Sequence, residues 1–314
     1  MNPIAVLIPT LNRQESLSRA LHSVFAQAQA RELIAEIVVI DNSPDASSRA
    51  TIEQLRPASP VTLSFVHAPK PGVATARNAG VAATGAPYIA FLDDDEEAPP
   101  GWLSELYAVH LRLNADVTFG PVRGEVQGAK PWARAYLERF FSRLGPEEAG
   151  LTDEVFGCGN AMMTRATVLT GPEPFEVAAD HTGGEDDRLF TDLRARGGRF
   201  AWAPAAWVIE HAPPERSRVG YALARAVGYG QTPSQMAARE GRWLGVAKWV
   251  AIGLAQMAVF GAAALGLWLV RSPKWIELAD RAARGLGKTL WFAHLNFYGV
   301  GALARSQGTA PAAA

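Results

Sequence analysis

The chain has 314 residues, of which 48% are hydrophobic and 19% are charged, so it can bury a sizeable core. Its net charge of -1 excludes a general nucleic-acid binder, because proteins of that class carry a basic footprint. Cys158 is the single cysteine, so no intrachain disulfide forms and a reducing compartment is favoured.

Apolar segments alternate with helical patterns in the first part of the chain. The predicted strands are Ile4–Pro9, Glu36–Asp45, Thr62–Ala68 and Tyr88–Asp95, and the predicted helices are Glu15–Ala28 and Gly72–Gly85. These strands show no polar alternation, so both of their faces should be buried, as in parallel sheets. We therefore predict an α/β fold with a mostly parallel sheet flanked by helices.

The pattern is less regular further along the chain. We predict a strand over Asp116–Val122, a helix over Lys130–Leu144, and a strand over Phe156–Arg165 that begins with a tight Gly-Cys-Gly turn. The segment Gly183–His211 predicts a loop, a helix, a turn and a strand.

The segment Leu244–Val270 is almost wholly apolar and is interrupted only by Lys248 and Gln256. It exceeds the ~20 residues that span a bilayer, although a buried core helix is an alternative. A weaker apolar stretch follows over Leu286–Leu303, and the last residues, SQGTAPAAA, predict a disordered tail. Basic residues flank the first stretch on both sides, which disfavours a single simple span. We expect membrane association through a helical hairpin or through interfacial helices.

Five consecutive acids, Asp93 to Glu97, follow the predicted strand that begins at Tyr88. Ligands of open parallel sheets bind beyond the carboxyl ends of the strands. Crowded carboxylates are costly there unless a cation neutralises them, and Mg²⁺ or Mn²⁺ uses one or two carboxylates together with substrate phosphates. We predict that Asp93 and Asp95 hold such an ion on a diphosphate. The alternative is a solvated acidic loop.

Other strand ends also carry polar residues. Asp41 can accept hydrogen bonds from a base or a ribose, and its alternative is a turn residue before Pro44. Arg77 can reach a phosphate or the acids, and its alternative is a structural salt bridge to Asp93 or Asp94.

A second acid cluster, Glu185-Asp186-Asp187, follows Thr182-Gly183-Gly184. Acids in a first helical turn are favoured by the helix dipole, so a well-capped helix start is one interpretation. The functional interpretation is a general base, because a carboxylate can take the proton of a sugar hydroxyl in the transition state.

These motifs occur in the order seen in one known family. The series is VLIPTLNR, VVIDNSPD, KPGVATARNAGVAAT, FLDDDE, GCGNAMMTR and GGEDDRLFTDLRARG. It resembles glycosyltransferase family 2, whose members are inverting, nucleotide-sugar-dependent enzymes with the GT-A fold. The later VIEHAPPERSRVGYALARAVGYGQ resembles bacterial exopolysaccharide glycosyltransferases of the succinoglycan-type group. The resemblance implies a GT-A catalytic domain over residues 1–231 and a C-terminal hydrophobic helical region over residues 232–314.

The resemblance also implies roles for individual residues. Asp186 would be the catalytic base beside Glu185, and a Mg²⁺ or Mn²⁺ ion would be held by Asp95, Asp93 and His211, although His211 is otherwise a capped or core histidine. The implied donor-binding residues are Pro9, Thr10, Asn12, Arg13, Asp41, Arg77, Asn78, Asp93, Asp94, Asn160, Arg216 and Arg218. The family often places a further acid two residues after the "ED" pair, where this chain has Arg188, so its acceptor contacts are open.

The implied partners are a nucleotide-diphosphate sugar, commonly UDP-linked, and a saccharide or lipid-linked saccharide acceptor. The opening residues, MNPIAVLIPT, lack a charged segment before their apolar run, so we expect no secretory signal peptide. Together with the apolar C-terminal region, this predicts a location on the cytoplasmic face of the inner membrane.

Three rival functions fit the sequence less well. A sugar-nucleotide pyrophosphorylase needs a glycine-rich activating loop near its N-terminus, and PTLNRQESL is not one. A non-catalytic GT-A scaffold would be expected to have lost Asp95 or Asp186. A processive synthase usually carries a QxxRW-type motif, and REGRWLG (Arg239–Gly245) lacks the glutamine at that spacing.

Overall fold

The computed structural model describes residues 3–27, 29–181 and 183–293. These residues form two compact units, the first within Met1–Arg123 and Ser142–His211, the second within Gly124–Phe141 and Ala212–Phe297. Three predictions fall partly outside the described residues: the end of the first helix at Ala28, the turn residue Thr182, and the C-terminal part of Leu286–Leu303 with the tail after it.

The first unit alternates strands and helices as the sequence predicts. Its strands are β1 (Ile4–Thr10), β2 (Ile34–Asp41), β3 (Thr62–His67), β4 (Tyr88–Leu92), β5 (Glu96–Glu97), β6 (Val117–Phe119), β8 (Gly150–Leu151), β9 (Asn160–Thr164) and β10 (Phe200–Trp202). Its helices are α1 (Gln14–Phe25), α2 (Ala30–Leu33), α3 (Arg49–Leu55), α4 (Val73–Ala82), α5 (Trp102–Arg112), α7 (Arg165–Val168) and α8 (Glu185–Ala195). The strands β7 (Val122–Val126) and β11 (Val208–Ala212) contain points where the chain passes between the units.

An eight-stranded sheet with the order β3-β2-β1-β4-β9-β6-β10-β8 forms the centre of the first unit. Strands β1 to β4 pair in parallel, as predicted, whereas β9 runs antiparallel to both β4 and β6. Both faces are buried: Ile4, Val6 and Ile8 belong to one hydrophobic cluster, and Ala5 and Leu7 to the other. This two-sided burial explains why the strands lack polar alternation.

The strand register brings the polar motifs to one edge of the sheet. Thr10 pairs with Asp41 at the ends of β1 and β2, and Leu92 at the end of β4 pairs with Asn160 at the start of β9. Because β9 is antiparallel, its N-terminal segment arrives at the same edge as the carboxyl ends of its neighbours. The acids after β4 and the GCG turn before β9 therefore lie side by side.

The second unit contains four long helices, α6 (Pro131–Phe141), α9 (Val219–Arg239), α10 (Trp243–Leu269) and α11 (Trp275–Thr289). Glycines allow three of them to approach closely. A Cβ on Gly253 of α10 would lie 2.5 Å from the Gly285 carbonyl oxygen of α11, and one on Gly230 of α9 would lie 2.2 Å from that of Arg284. Because α9 packs in this way, its residues before the boundary predicted between residues 231 and 232 also belong to the second unit.

Among the described helices, α10 alone is long and apolar enough to cross a membrane. Only 11% of the most apolar 18-residue segment of α10 is buried within the protein, whereas a core helix would be mostly buried. Leu254, Val259 and Leu265 are more than half exposed along its length. The first residues of the other predicted membrane stretch, Leu286–Leu303, form the end of α11. The later part of that stretch lies outside the described residues.

His110 on α5 is a buried histidine, and its protonation can be used to test the packing of the first unit. It is 1% exposed and lies 2.8 Å from the hydroxyl groups of both Thr118 and Thr164. Burial lowers the pKa of His110 from 6.5 to about 4, although Asp116 opposes this shift. Between pH 6.5 and about pH 4, His110 is therefore protonated in the unfolded chain but neutral in the native chain.

We expect this site to remove about 2 kcal/mol from the free energy of unfolding between pH 7.5 and pH 5.0. Urea unfolding, monitored by tryptophan fluorescence, measures this loss in the free energy of unfolding. The His110→Asn variant gives the loss that comes from the other titrating groups, which is subtracted from the wild-type value. A wild-type loss no larger than that of His110→Asn would contradict the buried neutral histidine.

Candidate active site

The acids after β4 form an ordered cluster. One guanidinium nitrogen of Arg13 donates to Asp94 and to Asp95, at 2.8 Å each, and the Thr10 hydroxyl donates to Asp94 at 2.7 Å. Burial raises the pKa of Asp94 to about 6, against the opposing charge of Arg13. The alternative of a solvated acidic loop does not describe this segment.

A second arginine, Arg143, supports the same cluster. It donates to Glu96 at 2.9 Å and lies 3.5 Å from a carboxylate oxygen of Glu210. The Glu96 side chain is fully buried and accepts a hydrogen bond from the backbone N–H of Asp93 at 3.1 Å. Sequence reasoning missed Arg143 and gave Glu96 no function of its own. The one available signal was that a buried acid at a strand end needs a cation.

Arg77 connects this cluster with the second acid cluster. Its buried guanidinium forms an ion pair with Glu185 and lies 3.7 Å from a carboxylate oxygen of Asp93. The small side chains of α4, with Ala74, Ala76 and Gly80 buried, bring the helix close enough to the sheet for this contact. The ion-pair interpretation of Arg77 is what the structure describes, with Glu185 as an additional partner.

Asp186 differs from Glu185 in its surroundings. Glu185 is buried against Arg77, and burial raises the pKa of its carboxyl group while Arg77 opposes that shift. Asp186 is half-buried, and its carboxylate accepts hydrogen bonds from the backbone N–H groups of Cys158 at 3.1 Å and Asp187 at 2.9 Å. Asp186 is therefore held in place but remains accessible.

The GCG turn separates Asp186 from the first acid cluster. Gly157 has φ +84°, and a Cβ added there would lie 3.2 Å from an Asp186 carboxylate oxygen. A Cβ on Gly159 would lie 2.6 Å from an Asp93 carboxylate oxygen. Only glycine allows the backbone to approach the acids this closely on both sides. Carboxylates thus flank a three-residue segment at the edge of the sheet.

Several predicted donor-binding residues have structural contacts. Both carboxylate oxygens of Asp41 accept hydrogen bonds, from the backbone N–H of Ser43 and from the N–H and hydroxyl of Ser48. Asp41 is fully buried, which matches its alternative as a turn residue, and contact with a base stays a prediction. The Asn12 amide oxygen accepts from the Ser47 hydroxyl at 2.9 Å, and Pro9 lies half-buried in β1.

Two asparagines use their side chains as braces. Asn78 donates to the Phe175 carbonyl at 2.7 Å and accepts from its N–H at 2.9 Å. Asn160 donates to the carbonyl groups of Pro121 and Ala206 and accepts from the Trp102 indole N–H at 2.8 Å. The amide groups of both residues are bonded within the protein, so direct sugar contacts by them stay predictions.

His211 lies beside the first cluster. Its backbone N–H donates to the Asp95 carbonyl, and its Nε2 is 2.9 Å from a Glu97 carboxylate oxygen. Arg216 and Arg218 belong to the second unit, where the Arg216 N–H donates to the Pro213 carbonyl and Arg218 precedes α9. Their donor-binding roles stay predictions.

The donor set at this edge fits a hard divalent cation. Among the described residues, no three His, Cys, Asp or Glu side chains converge into a complete metal cage. Mg²⁺ and Mn²⁺ do not need one here, because they accept one or two carboxylates and take further oxygens from phosphates and water. Asp93 and Asp95 supply such carboxylates, and the site holds more carboxylates than guanidinium groups.

The chain is similar to known proteins in both sequence and fold. Residues 5–169, more than half of the chain, match the model of the family "Glycosyl transferase family 2". The chain is 30% identical over 233 residues to the succinoglycan biosynthesis protein ExoM of Rhizobium meliloti (strain 1021), covering 74% of each chain.

Two solved structures show the same GT-A fold. The mannosyltransferase PcManGT of Pyrobaculum calidifontis, in complex with GDP-Man and Mn²⁺, aligns with a TM-score of 0.58 at 18% identity. That alignment covers 92% of this chain and 87% of that chain. GalNAc-T7 with UDP, GalNAc and Mn²⁺ aligns with a TM-score of 0.54 at 16% identity, over 74% of this chain and half of that chain. The predicted GT-A fold is confirmed.

Removing the Arg77 charge should destabilise the first unit strongly. Arg77→Met leaves Glu185 and Asp93 without their shared cation, and breaking a buried pair costs about 3–5 kcal/mol of the free energy of unfolding. The matched control is Arg188→Met, which removes the more exposed Arg188–Glu176 pair and should cost less than about 1 kcal/mol. Urea unfolding compares the two variants, and equal losses would contradict the central position of Arg77.

Proposed function

This chain belongs to glycosyl transferase family 2, and we propose that it is an inverting enzyme that uses a nucleotide-diphosphate sugar as donor. The acceptor is a saccharide or lipid-linked saccharide in bacterial polysaccharide or glycoconjugate synthesis. A UDP-linked donor is the first candidate, because Asp41 and the neighbouring strand ends resemble the family's nucleotide-binding motifs. The GDP-Man in one structural neighbour, and the UDP and GalNAc in the other, support a donor of this class.

One observation carries the proposal: an accessible carboxylate and a carboxylate cluster flank the Gly157–Gly159 segment. Asp186 is bonded to the Cys158 N–H on one side, and Asp93 approaches Gly159 on the other. A direct displacement needs a base on one face of the sugar and stabilisation of the departing diphosphate on the opposite face. The two groups of acids can serve these two functions.

In the proposed reaction Asp186 takes the proton of the acceptor hydroxyl while that oxygen attacks the anomeric carbon. The bond from the anomeric carbon to the diphosphate breaks in the same step, so the configuration inverts and no covalent enzyme intermediate forms. Glu185 stays paired with Arg77 and keeps the first turn of α8 in place. Arg13 supplies positive charge at the edge where the diphosphate leaves.

Asp95 and Asp93 would hold a Mg²⁺ or Mn²⁺ ion, with His211 beside them. When bound, such an ion neutralises the negative charge that grows on the diphosphate as the glycosidic bond breaks. The Mn²⁺ ions in the two structural neighbours support this cofactor class.

The second unit suggests where the acceptor is found. The exposed apolar surface of α10 fits a lipid environment, and its glycine-mediated packing against α11 is typical of membrane helices. We propose that the enzyme works on the cytoplasmic face of the inner membrane, where lipid-linked saccharides are accessible. The similarity to a succinoglycan biosynthesis protein supports an acceptor in polysaccharide synthesis.

Replacing the proposed base tests this function directly. Asp186→Asn should lower kcat about 100- to 10,000-fold, because a general base contributes that much, while the donor KM changes less than threefold. Purified protein in detergent is incubated with Mg²⁺ or Mn²⁺, a panel of nucleotide sugars and a bacterial lipid extract, and nucleoside diphosphate release is followed.

Asp187→Asn is the matched control, because it removes the adjacent, exposed acid and should retain near wild-type turnover. Normal turnover by Asp186→Asn would refute the assignment of the base. An equal loss of donor binding in that variant would also refute it.

The membrane proposal has its own test. Leu254→Asp, Val259→Asp and Leu265→Asp together place three charges on exposed positions of α10, at roughly 3 kcal/mol each for a bilayer interior. We expect the wild type in the membrane fraction and the triple variant in the soluble fraction.

The control replaces three exposed leucines of the first unit, Leu111, Leu144 and Leu151, with aspartate. These changes add the same charge and should leave the protein with the membranes. A triple α10 variant that stays bound as tightly as the control would rule out α10 as the membrane element.

A further inference from the structure

Asp180 is a buried acid that the proposed reaction does not use. It lies in the short 3-10 helix Val177–His181 and is 5% exposed. Its carboxylate accepts hydrogen bonds from the N–H of Ala74 at 2.7 Å, the N–H of Thr75 at 3.3 Å and the Thr75 hydroxyl at 2.6 Å. These donors form the first turn of α4, so Asp180 caps that helix from 106 residues away.

The backbone around α4 is shaped to admit this carboxylate. The residue before the helix is Gly72, which has φ +155° and offers no side-chain cap. A Cβ added to Gly72 would lie 2.1 Å from the carboxylate carbon of Asp180, so another side chain would displace Asp180. The Asn42 amide oxygen accepts the Gly72 N–H at 2.7 Å and fixes this loop from the end of β2.

Two further contacts tie α4 to the same part of the chain. Asn78 forms two hydrogen bonds with the backbone of Phe175, and Arg77 pairs with Glu185. The chain from Phe175 to Glu185 is thus attached to α4 at three points, with Asp180 between the other two.

The link from Asp180 to the catalytic base is short and rich in glycine. Gly183 and Gly184 have φ +75° and +83°, and Glu185 starts α8 directly after them. Glycines impose little conformational preference of their own, so the position of Gly183 and Gly184 depends on the contacts around them. The Gly183 N–H donates to the carbonyl of Ala179, the residue before Asp180, at 2.6 Å. Arg77 fixes one end and Asp180 fixes the other.

We propose that Asp180 is a positioning residue for glycosyl transfer, which sets the place of the Asp186 carboxylate by holding the preceding segment on α4. This inference rests on the proposed function, because it assigns the base role to Asp186. Small displacements of a reacting group can cost about 100-fold in rate, so a lost attachment should reduce kcat more than donor binding.

The kinetic test uses the full-length enzyme in detergent, with the donor and acceptor that the nucleotide-sugar panel selects. Asp180→Ala should lower kcat at least tenfold with a donor KM within threefold of wild type, at a temperature where every variant is folded. Asp180→Asn should recover part of the loss, because its amide oxygen can still accept the N–H bonds of the first α4 turn.

His110→Asn is the stability control, because His110 lies beside Tyr88 at the opposite edge of the sheet. It lowers stability without touching α4 or the glycine link, so its kcat should match the wild type. A kcat for Asp180→Ala less than tenfold below that of the wild type, or an equal loss in His110→Asn, would overturn the positioning role. A raised donor KM with unchanged kcat would also overturn it.

Hydrogen exchange tests the same proposal without a substrate. Asp180→Ala should speed exchange at residues 74–76 and at residues 185–190, while the amides of β1 and β4 stay protected. Unchanged exchange at residues 185–190 would overturn the inference whatever the assay shows. Absence of transfer by the wild type, with the exchange change present, would count against the proposed function alone.

Discussion

The site depends on the ion-pair contacts of the buried Arg77 guanidinium. Acids converge at this edge from the end of β4 and from the start of α8, and their mutual repulsion would drive them apart in a water-poor interior. Arg77 lies between them, paired with Glu185 and 3.7 Å from Asp93. A planar group with several donors suits this position better than the point charge of a lysine.

This constraint explains the composition of the surrounding elements. The helix that carries Arg77 has small buried residues because the guanidinium must approach the sheet edge. The GCG turn has glycines at 157 and 159 because its backbone runs between two groups of carboxylates. Arg13 contacts Asp94 and Asp95, and Arg143 contacts Glu96, so these acids, which Arg77 does not reach, also have defined places. Asp186 is left bonded but accessible, which is what a base requires.

Much of this arrangement could be predicted from the sequence. Apolar strands that end in polar residues indicated a parallel sheet with a site at its carboxyl edge, and the acids at 93–95 were found in that way. The acids at 185–186 were found as a cluster that follows two glycines at a predicted helix start. The contact of Arg77 with Asp93 was one of two interpretations of that arginine, but the other contacts that hold these acids could not be predicted, because they join residues far apart in the chain. Arg143, Asp180 and Phe175 occur in segments without a recognisable motif. Only the register of β9 brings the GCG turn beside the acids that follow β4.

Asn78, Asn160 and Asp41 also made contacts that the sequence alone did not specify. A polar residue at a strand end can face a ligand or satisfy nearby backbone, and the sequence contains both possibilities. The structure uses Asn78 and Asn160 as braces and Asp41 as a turn residue. The antiparallel direction of β9 could not be predicted from the sequence either, because a short buried strand has the same apolar character in either direction.

The most direct test of this account is a crystal structure of the Asp186→Asn variant with an intact nucleotide sugar and Mn²⁺. We expect the metal and the diphosphate to lie at Asp93 and Asp95. The carboxamide of residue 186 should lie on the opposite face of the anomeric carbon, with room for one acceptor hydroxyl between that carbon and the carboxamide. A donor bound away from these acids, or residue 186 on the same face as the diphosphate, would contradict the account.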